Sequence, residues 1–466
     1  MAQANDLKGR KCLFVSYFYP PAAGTALPGA MRSVKFIRNL ANAEIFVLSV
    51  QPDRYGKSVQ LDQKAELPVK QETIYRAGIC DVFGFLLSLR SRAKRVFNRD
   101  SSSCVNHSLV TGPNARGDVN SNPSIVQRFK DFVYNLCYFP DQASPWIPMA
   151  LYQGWKIIRR HKLEVIFATG MPWSALVVGY LLSLMTGRPL VADFRDPWVN
   201  NPFHLSKGKF LDWWGRWLER HIVLRASVVS LNTAPLREEF LVRYPNVAAE
   251  KMVVLPNGYD ESDFSWLKDA VQVRKASEEL VLGHAGFLYG LRDPAPLLDA
   301  LLICRQRLAG SGQKIRFVQI GRIDIGYDLA EKYAALLEDG LLELRDEMSY
   351  HDCLRLLAAS DVLVNVQPGT RTQVPSKLYD YLGLNRPILN LTPHDGALGC
   401  IVEQFGFGDL FEPEQVEEIA DRLLALLQQK DQGMLRADYP LRSQFEVKAI
   451  TEQLAAHLVA AEMKSG

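Results

Sequence analysis

At 466 residues and 48% hydrophobic content, the chain is long enough for two domains with large cores and too apolar for a disordered protein. A formal charge of +3 over that length excludes a general nucleic-acid binder, so no nucleic-acid partner is expected. Seven scattered cysteines, with no CxxC and no His/Cys cluster at zinc spacing, exclude a disulfide scaffold and a zinc finger and fit a reducing compartment.

The chain starts MAQANDLKGRKC, which has no apolar signal-peptide core, so a cytoplasmic location is expected. Cys12 to Tyr17 (CLFVSY) has the length and composition of a buried strand. A turn-rich loop follows, Phe18 to Gly29, then helical character over Ala30 to Leu40 and a second strand at Glu44 to Val50. Strand, glycine-containing loop and helix are how nucleotide-binding α/β domains begin. Gly24 and Gly29 are not spaced as GxGxxG, which counts against a dinucleotide oxidoreductase. The loop is either a plain connection or a place where Gly24 lets backbone approach a ligand, with Arg32 nearby.

Asp81 to Arg99 turns from apolar to strongly basic, as either a peripheral membrane surface or a solvated basic helix end. Residues 100–122 are rich in Ser, Asn and Gly and read as a flexible loop. Helical pattern returns at Val126 to Tyr138 and again up to Arg160, followed by a strand at Glu164 to Thr169. Trp173 to Gly187 is the longest apolar run, shorter than the ~20 residues that cross a bilayer, and reads as a buried crossover helix. The strand Pro189 to Asp193 ends in Asp193-Phe194-Arg195-Asp196-Pro197-Trp198; charged residues at a strand's carboxyl end are either site candidates or a structural Arg–Asp pair. An aromatic amphipathic helix (Trp213 to Leu224), a strand (Ser227 to Leu231), a helix (Pro235 to Phe240) and a short strand (Met252 to Leu255) complete this half. The polar segment Tyr259 to Glu279 marks the domain boundary.

The βα alternation restarts at Leu280 to Ala285, leading through Gly286 and Phe287 to Arg292 and a helix over Ala295 to Leu308. A strand at Ile315 to Ile320 and a helix from Ser349 come next, with Ser349 and Asp352 resembling a capping box. After the apolar run Asp361 to Val366 comes Val374 to Leu389 (VPSKLYDYLGLNRPIL). Pro375 suits a helix start, Gly383 a helix stop, and Ile388 to Leu391 the next strand. Lys377 and Asp380, three apart, share one helix face. They read either as a surface pair or as a cation and a carboxylate for a diphosphate and a ribose. Helices at Glu414 to Gln429 and Glu446 to Met463 end the chain. Two successive alternating halves imply an α/β protein of two doubly wound domains facing a cleft.

The YPP…G loop, FPD…W.P, DFRDPW, LPNGYD, GHAGFLYGLRDP and VPSKLYDYLGLNRPI occur in an order and at separations that resemble the glycosyltransferase family 4 group. The resemblance covers nearly the whole chain. It implies the GT-B architecture: a Rossmann-like acceptor domain over residues 1–265 with an insertion at about 95–125, a Rossmann-like nucleotide-sugar donor domain over 275–440, and a terminal helix over 441–466 that crosses back. It implies transfer of a sugar with retention of configuration from a nucleotide-sugar co-substrate. With no Asp-x-Asp in the sequence, Arg292, Lys377 and helix N-termini are expected to neutralise the leaving diphosphate without a cofactor or a metal. The acceptor would be a lipid-linked or polysaccharide glycan, met at the inner face of a bacterial membrane during cell-surface polysaccharide synthesis. Gly24, Gly286, Phe287, Arg292, Thr372, Ser376, Lys377, Leu378 and Asp380 map onto the donor site, and Arg195, Asp196, Arg292 and Lys377 onto the catalytic positions. Asp380 falls where the family holds the ribose. Thr372, with seven residues between it and Asp380, falls where the family has a carboxylate toward the sugar. Phe287 replaces a family arginine, Arg292 a family lysine, and Arg195-Asp196 a common His-Asp. These departures leave two alternatives beside the transferase: a nucleotide-sugar epimerase or hydrolase, and a non-catalytic member acting as a binding partner.

Overall fold

The computed structural model describes residues 9–24, 27–56, 59–62, 67–81, 84, 125–201, 206–267, 279–367 and 369–463. The basic stretch beyond Asp81 and the Ser/Asn/Gly-rich residues 100–122 lie outside these, Gly84 apart. Contacts divide the chain into two units, Met1–Leu255 with Thr451–Gly466, and Pro256–Ile450. The division falls at Leu255/Pro256, ahead of the polar segment that composition marks as the boundary. The last helix, Val447–Met463, begins in the second unit and from Thr451 onward belongs with the first.

The first unit carries strands β1 (Lys11–Val15), β2 (Ala22–Gly24), β3 (Glu44–Val50), β4 (Val59–Leu61), β5 (Thr73–Ala77), β6 (Val165–Gly170), β7 (Leu190–Phe194), β8 (Val228–Leu231) and β9 (Met252–Val254). Seven of them form a parallel sheet in the order β5-β3-β1-β6-β7-β8-β9. β1, β6 and β7 are continuous apolar runs because both of their faces are covered. The order reverses direction between β1 and β6, so ligands are expected beyond the carboxyl ends of those two strands. The helix Trp173–Thr186 is buried nearly all round and packs on β6 and β7, as a crossover helix should. Among the described residues no helix is long and apolar enough to cross a membrane.

The second unit carries β10 (Glu279–Ala285), β11 (Leu288–Tyr289), β12 (Lys314–Ile320), β13 (Ile323–Asp324), β14 (Leu342–Arg345), β15 (Val362–Val366), β16 (Ile388–Leu391) and β17 (Asp409–Phe411). Six form a second parallel sheet, β14-β12-β10-β15-β16-β17, whose order reverses between β10 and β15. The helix Tyr350–Ala358 begins as its sequence predicts: Ser349 Oγ accepts from the Asp352 backbone N–H at 3.1 Å.

The helix Lys377–Leu384 departs from expectation at its end. It runs through Gly383 and stops at Asn385, which takes the left-handed conformation at φ 51°. Gly383 serves packing instead: a Cβ there would lie 2.2 Å from Phe264 Cε2, so only glycine lets Phe264 seat against the helix. Gly24 also differs from its reading as a loop residue. It ends the short strand β2, which pairs antiparallel with β4.

Candidate active site

In the second unit the sequence-predicted residues meet at the reversal point of the sheet. β10 ends at Ala285, and Gly286 follows with φ 129°, a conformation that favours glycine. A Cβ at Gly286 would lie 3.0 Å from Lys377 Nζ, so a side chain there would crowd the lysine. Lys377 is the first residue of its helix and partly buried, and its Nζ lies 2.7 Å from His284 Nε2.

The protonation pattern follows from the hydrogen bonds. The Gly286 carbonyl can only accept, and Gln319 Nε2 donates to it at 3.0 Å. Gln319 Oε1 therefore faces His284 Nδ1, at 2.6 Å, and must accept a proton from it. That leaves His284 Nε2 as a lone pair, which accepts from the Lys377 ammonium. Burial first, then the charges of Lys377 and Arg292, push His284 well below its ordinary range, so the ring stays neutral. Burial and the Arg292 charge likewise bring Lys377 down to about 7. Among the described residues Lys377 forms no ion pair. A lysine held against a second cation, with a neutral histidine behind it, is arranged for an incoming anion.

Arg292 stacks over the Tyr289 ring at 5.0 Å, Phe287 lies 4.7 Å from Tyr289, and Arg322 lies over the Phe287 ring at 5.2 Å. Asp380, on the same helix as Lys377, accepts a 2.9 Å hydrogen bond from Tyr350. Leu378 is buried, Ser376 is exposed and Thr372 is partly exposed in the loop before the helix. Lys377 thus turns to His284 while Asp380 is held by Tyr350. His284 and Gln319 were absent from the sequence-derived set.

In the first unit, the residues of DFRDPW are largely occupied with structure. Asp193 is fully buried and accepts from Arg32 Nε at 2.8 Å and Nη2 at 2.7 Å, from Thr169 at 2.7 Å and from Ser230 at 2.7 Å. Burial would raise this carboxyl, but Arg32 and the two hydroxyls outweigh it and hold it below its usual value. Arg195 Nε donates to the Gly170 carbonyl at 2.8 Å and Nη2 to that of Met171, while Gly29, inside the helix Leu27–Asn39, leaves room for the guanidinium. Trp198 stacks on Trp173 at 5.6 Å. Val199 N–H is held by buried Glu219, which also accepts from Arg243 and Tyr244. Asp196, partly exposed, lies beside Arg195. The FPD motif has a similar role: Asp141 accepts from Ser174 N–H at 3.0 Å and Oγ at 2.7 Å, capping the crossover helix from a distance. Among the described residues no three His, Cys, Asp or Glu side chains gather as a metal-holding group.

The family described as glycosyl transferase 4-like domain matches residues 105–258. No curated protein matches the sequence. Among solved structures, Anabaena HepE with UDP-glucose is similar at 16% identity and a TM-score of 0.54, covering 97% of this chain and 99% of that one. The Anabaena protein with UDP alone gives the same identity and TM-score. Sucrose-phosphate synthase from Thermosynechococcus elongatus gives 12% identity and 0.51, covering 98% of this chain and 97% of that one. A lipopolysaccharide outer core galactosyltransferase, WaaB, gives 10% and 0.51, covering 97% and 99%. At these identities the structural likeness establishes the fold, and the family match marks a glycosyl transferase domain over residues 105–258. The chain is a glycosyltransferase of the GT-B fold that carries a glycosyl transferase 4-like domain.

Proposed function

We propose that this enzyme moves a sugar from a nucleotide-sugar donor, with UDP-sugars the first candidates, to a lipid-linked or polysaccharide acceptor. The observation that carries the donor side is Lys377, an ammonium without an ion pair among the described residues, set against Arg292 at the reversal point of a parallel sheet. Sugar transfer breaks the bond between the anomeric carbon and the β-phosphate oxygen as the acceptor oxygen bonds to that carbon. Negative charge then grows on the β-phosphate, and Lys377, Arg292 and the amide N–H groups at the start of the Lys377–Leu384 helix are placed to stabilise it. The reading is metal-independent, because these groups supply the neutralising charge. Retention of configuration follows from the family resemblance.

Asp380, steadied by Tyr350, holds the ribose diol, and the backbone of Gly286, Phe287, Ser376 and Leu378 lines the donor. Thr372 stands where a carboxylate toward the sugar is common, so the sugar is read by a hydroxyl here. Asp196 orients the acceptor, and Arg195 shapes the loop at Gly170 on the acceptor side. Gly24, at the end of β2, keeps the donor-side role that the resemblance implies. The likeness to a lipopolysaccharide galactosyltransferase supports a cell-surface glycan acceptor. A peripheral place on the inner membrane face is what the family resemblance implies. A thermal-shift screen of nucleotide-sugars tests the reading. One nucleotide series should stabilise the wild type and leave Lys377→Ala unmoved; equal shifts in both, or none in the wild type, would overturn it.

A further inference from the structure

The helix Lys209–Arg225 packs inward through Leu211, Gly215, Glu219 and Ile222, spaced to fall on one stripe. Its outward side is not polar. Phe210, Trp213 and Trp217 are 54%, 58% and 40% exposed, and Leu224 is exposed beside them. At 3.6 residues per turn these four lie within about 60° of one another. The neighbouring strip, about 40° wide, carries Lys209, Arg216 and Arg220, all exposed and none in an ion pair among the described residues. The helix's acids are turned away or used: Asp212 accepts from Ser206 and Lys207, and Glu219 is buried against Arg243. The apolar strip continues onto a second helix, Ile125–Cys137. Phe132 there lies 6.3 Å, ring to ring, from Phe210, and Leu136 is exposed one turn on. Lys130 and Asp131 beside them are also exposed and cancel in charge. Trp214, stacked on Phe139 at 4.8 Å, fixes the ridge from beneath.

We infer that this face docks on the surface of an anionic lipid bilayer. Tryptophan and phenylalanine in line, with unpaired cations alongside, match an interface where rings enter the headgroup boundary and cations meet lipid phosphates. A ridge of unpaired cations next to rings has no complement in an uncharged partner. With no spanning helix among the described residues, attachment here is interfacial. The inference deepens the proposed reading, in which the acceptor is lipid-linked, by naming the face that meets the lipid.

The test is sedimentation of the full chain with vesicles of phosphatidylcholine, alone or with roughly a third phosphatidylglycerol. The wild type should bind only the anionic vesicles, and less so at high salt. Trp213→Ala/Trp217→Ala should lower partitioning about tenfold or more. Arg216→Gln/Arg220→Gln should lower it roughly thirtyfold on the anionic vesicles. Brominated lipid should quench wild-type tryptophan fluorescence more than that of the Trp213/Trp217 variant. Failure of the wild type to bind, equal binding by all three proteins, or a wild-type dimer that either variant dissociates would each overturn the inference, the last by making this face a self-association surface. The thermal-shift response to a UDP-sugar, measured in parallel, should be unchanged in both variants. Its absence in a wild type that still binds vesicles faults the donor reading and leaves the docking face standing.

Discussion

Both units place cations near the carboxyl ends of a parallel sheet, beside a glycine that makes room for them, yet the two clusters differ in kind. In the first unit the charges have partners: Arg32 and Asp193 form a fully buried two-pronged pair closed off by Thr169 and Ser230, and Arg195, its pKa lowered by burial, clasps two backbone carbonyls beside Asp196. In the second, Lys377 meets a neutral histidine and a second cation, and its ammonium is destabilised rather than answered. Position at the end of a sheet is therefore insufficient to mark an anion site. What separates scaffold from site is whether the charges already have partners.

Two substitutions should separate the clusters most sharply. Asp193→Asn leaves Arg32 buried beside an uncharged partner, and breaking such a pair costs about 3–5 kcal/mol. The melting temperature should fall by many degrees, read by scanning calorimetry. Lys377→Ala should do the reverse: turnover of a UDP-sugar falls roughly 10²- to 10³-fold, the scale for removing one charge-stabilising donor. Its melting temperature should hold or rise, since a strained ammonium has been removed. A stable Asp193→Asn protein, or a Lys377→Ala protein that unfolds with its activity, would erase the distinction.

The pH dependence of donor binding is a smaller effect with a definite sign. In the ligand-free protein Lys377 titrates near 7, brought down by burial and Arg292. A bound diphosphate favours the charged lysine, so its pKa rises on binding. Affinity is then full below about pH 7 and falls as pH climbs toward the bound value, by at most about tenfold per unit. Calorimetric titration with a UDP-sugar, which does not itself titrate in this range, should show that slope in the wild type and a flat profile in Lys377→Met. A flat wild-type profile would mean that the lysine is not what meets the phosphate.

The order of strands and helices was legible because buried parallel strands write themselves as apolar runs, and β3 and β16 occupy the residues their sequences predict. Lys377, Gly286 and Arg292 were legible as a set through the family resemblance, and the structure brings them together. His284 and Gln319 were not, because each sits inside an apolar run and looks like a strand residue. A signal was nevertheless there: His284-Ala285-Gly286 and Gln319-Ile320-Gly321 place a polar residue at the same spacing before a glycine. Only the register, which sets His284 opposite Gln319, turns that echo into a hydrogen bond. The role of Arg195 was obscured for the opposite reason. A charged residue at a strand end announces itself in sequence, while the backbone carbonyls that occupy it do not. Gly383 misled in the same way, since a stop signal and a packing glycine are the same letter until Phe264 is seen against it.

The finest test concerns Asp380, the acid that shares the helix of Lys377. Tyr350 donates to its Oδ1 at 2.9 Å, which fixes the carboxyl plane. Asp380→Asn keeps an oxygen for Tyr350 and nearly the same shape, so the fold should be unaffected. The second oxygen becomes an amide NH₂, which cannot accept from a ribose hydroxyl. A hydrogen bond to a charged group contributes about 1.5–3 kcal/mol, so affinity for a UDP-sugar should fall roughly tenfold or somewhat more. The same loss should appear in the wild type when the ribose hydroxyls of the donor are removed, and the variant should not then lose affinity a second time. Independent, additive losses would place the ribose elsewhere and leave Asp380 as a structural acid holding Tyr350.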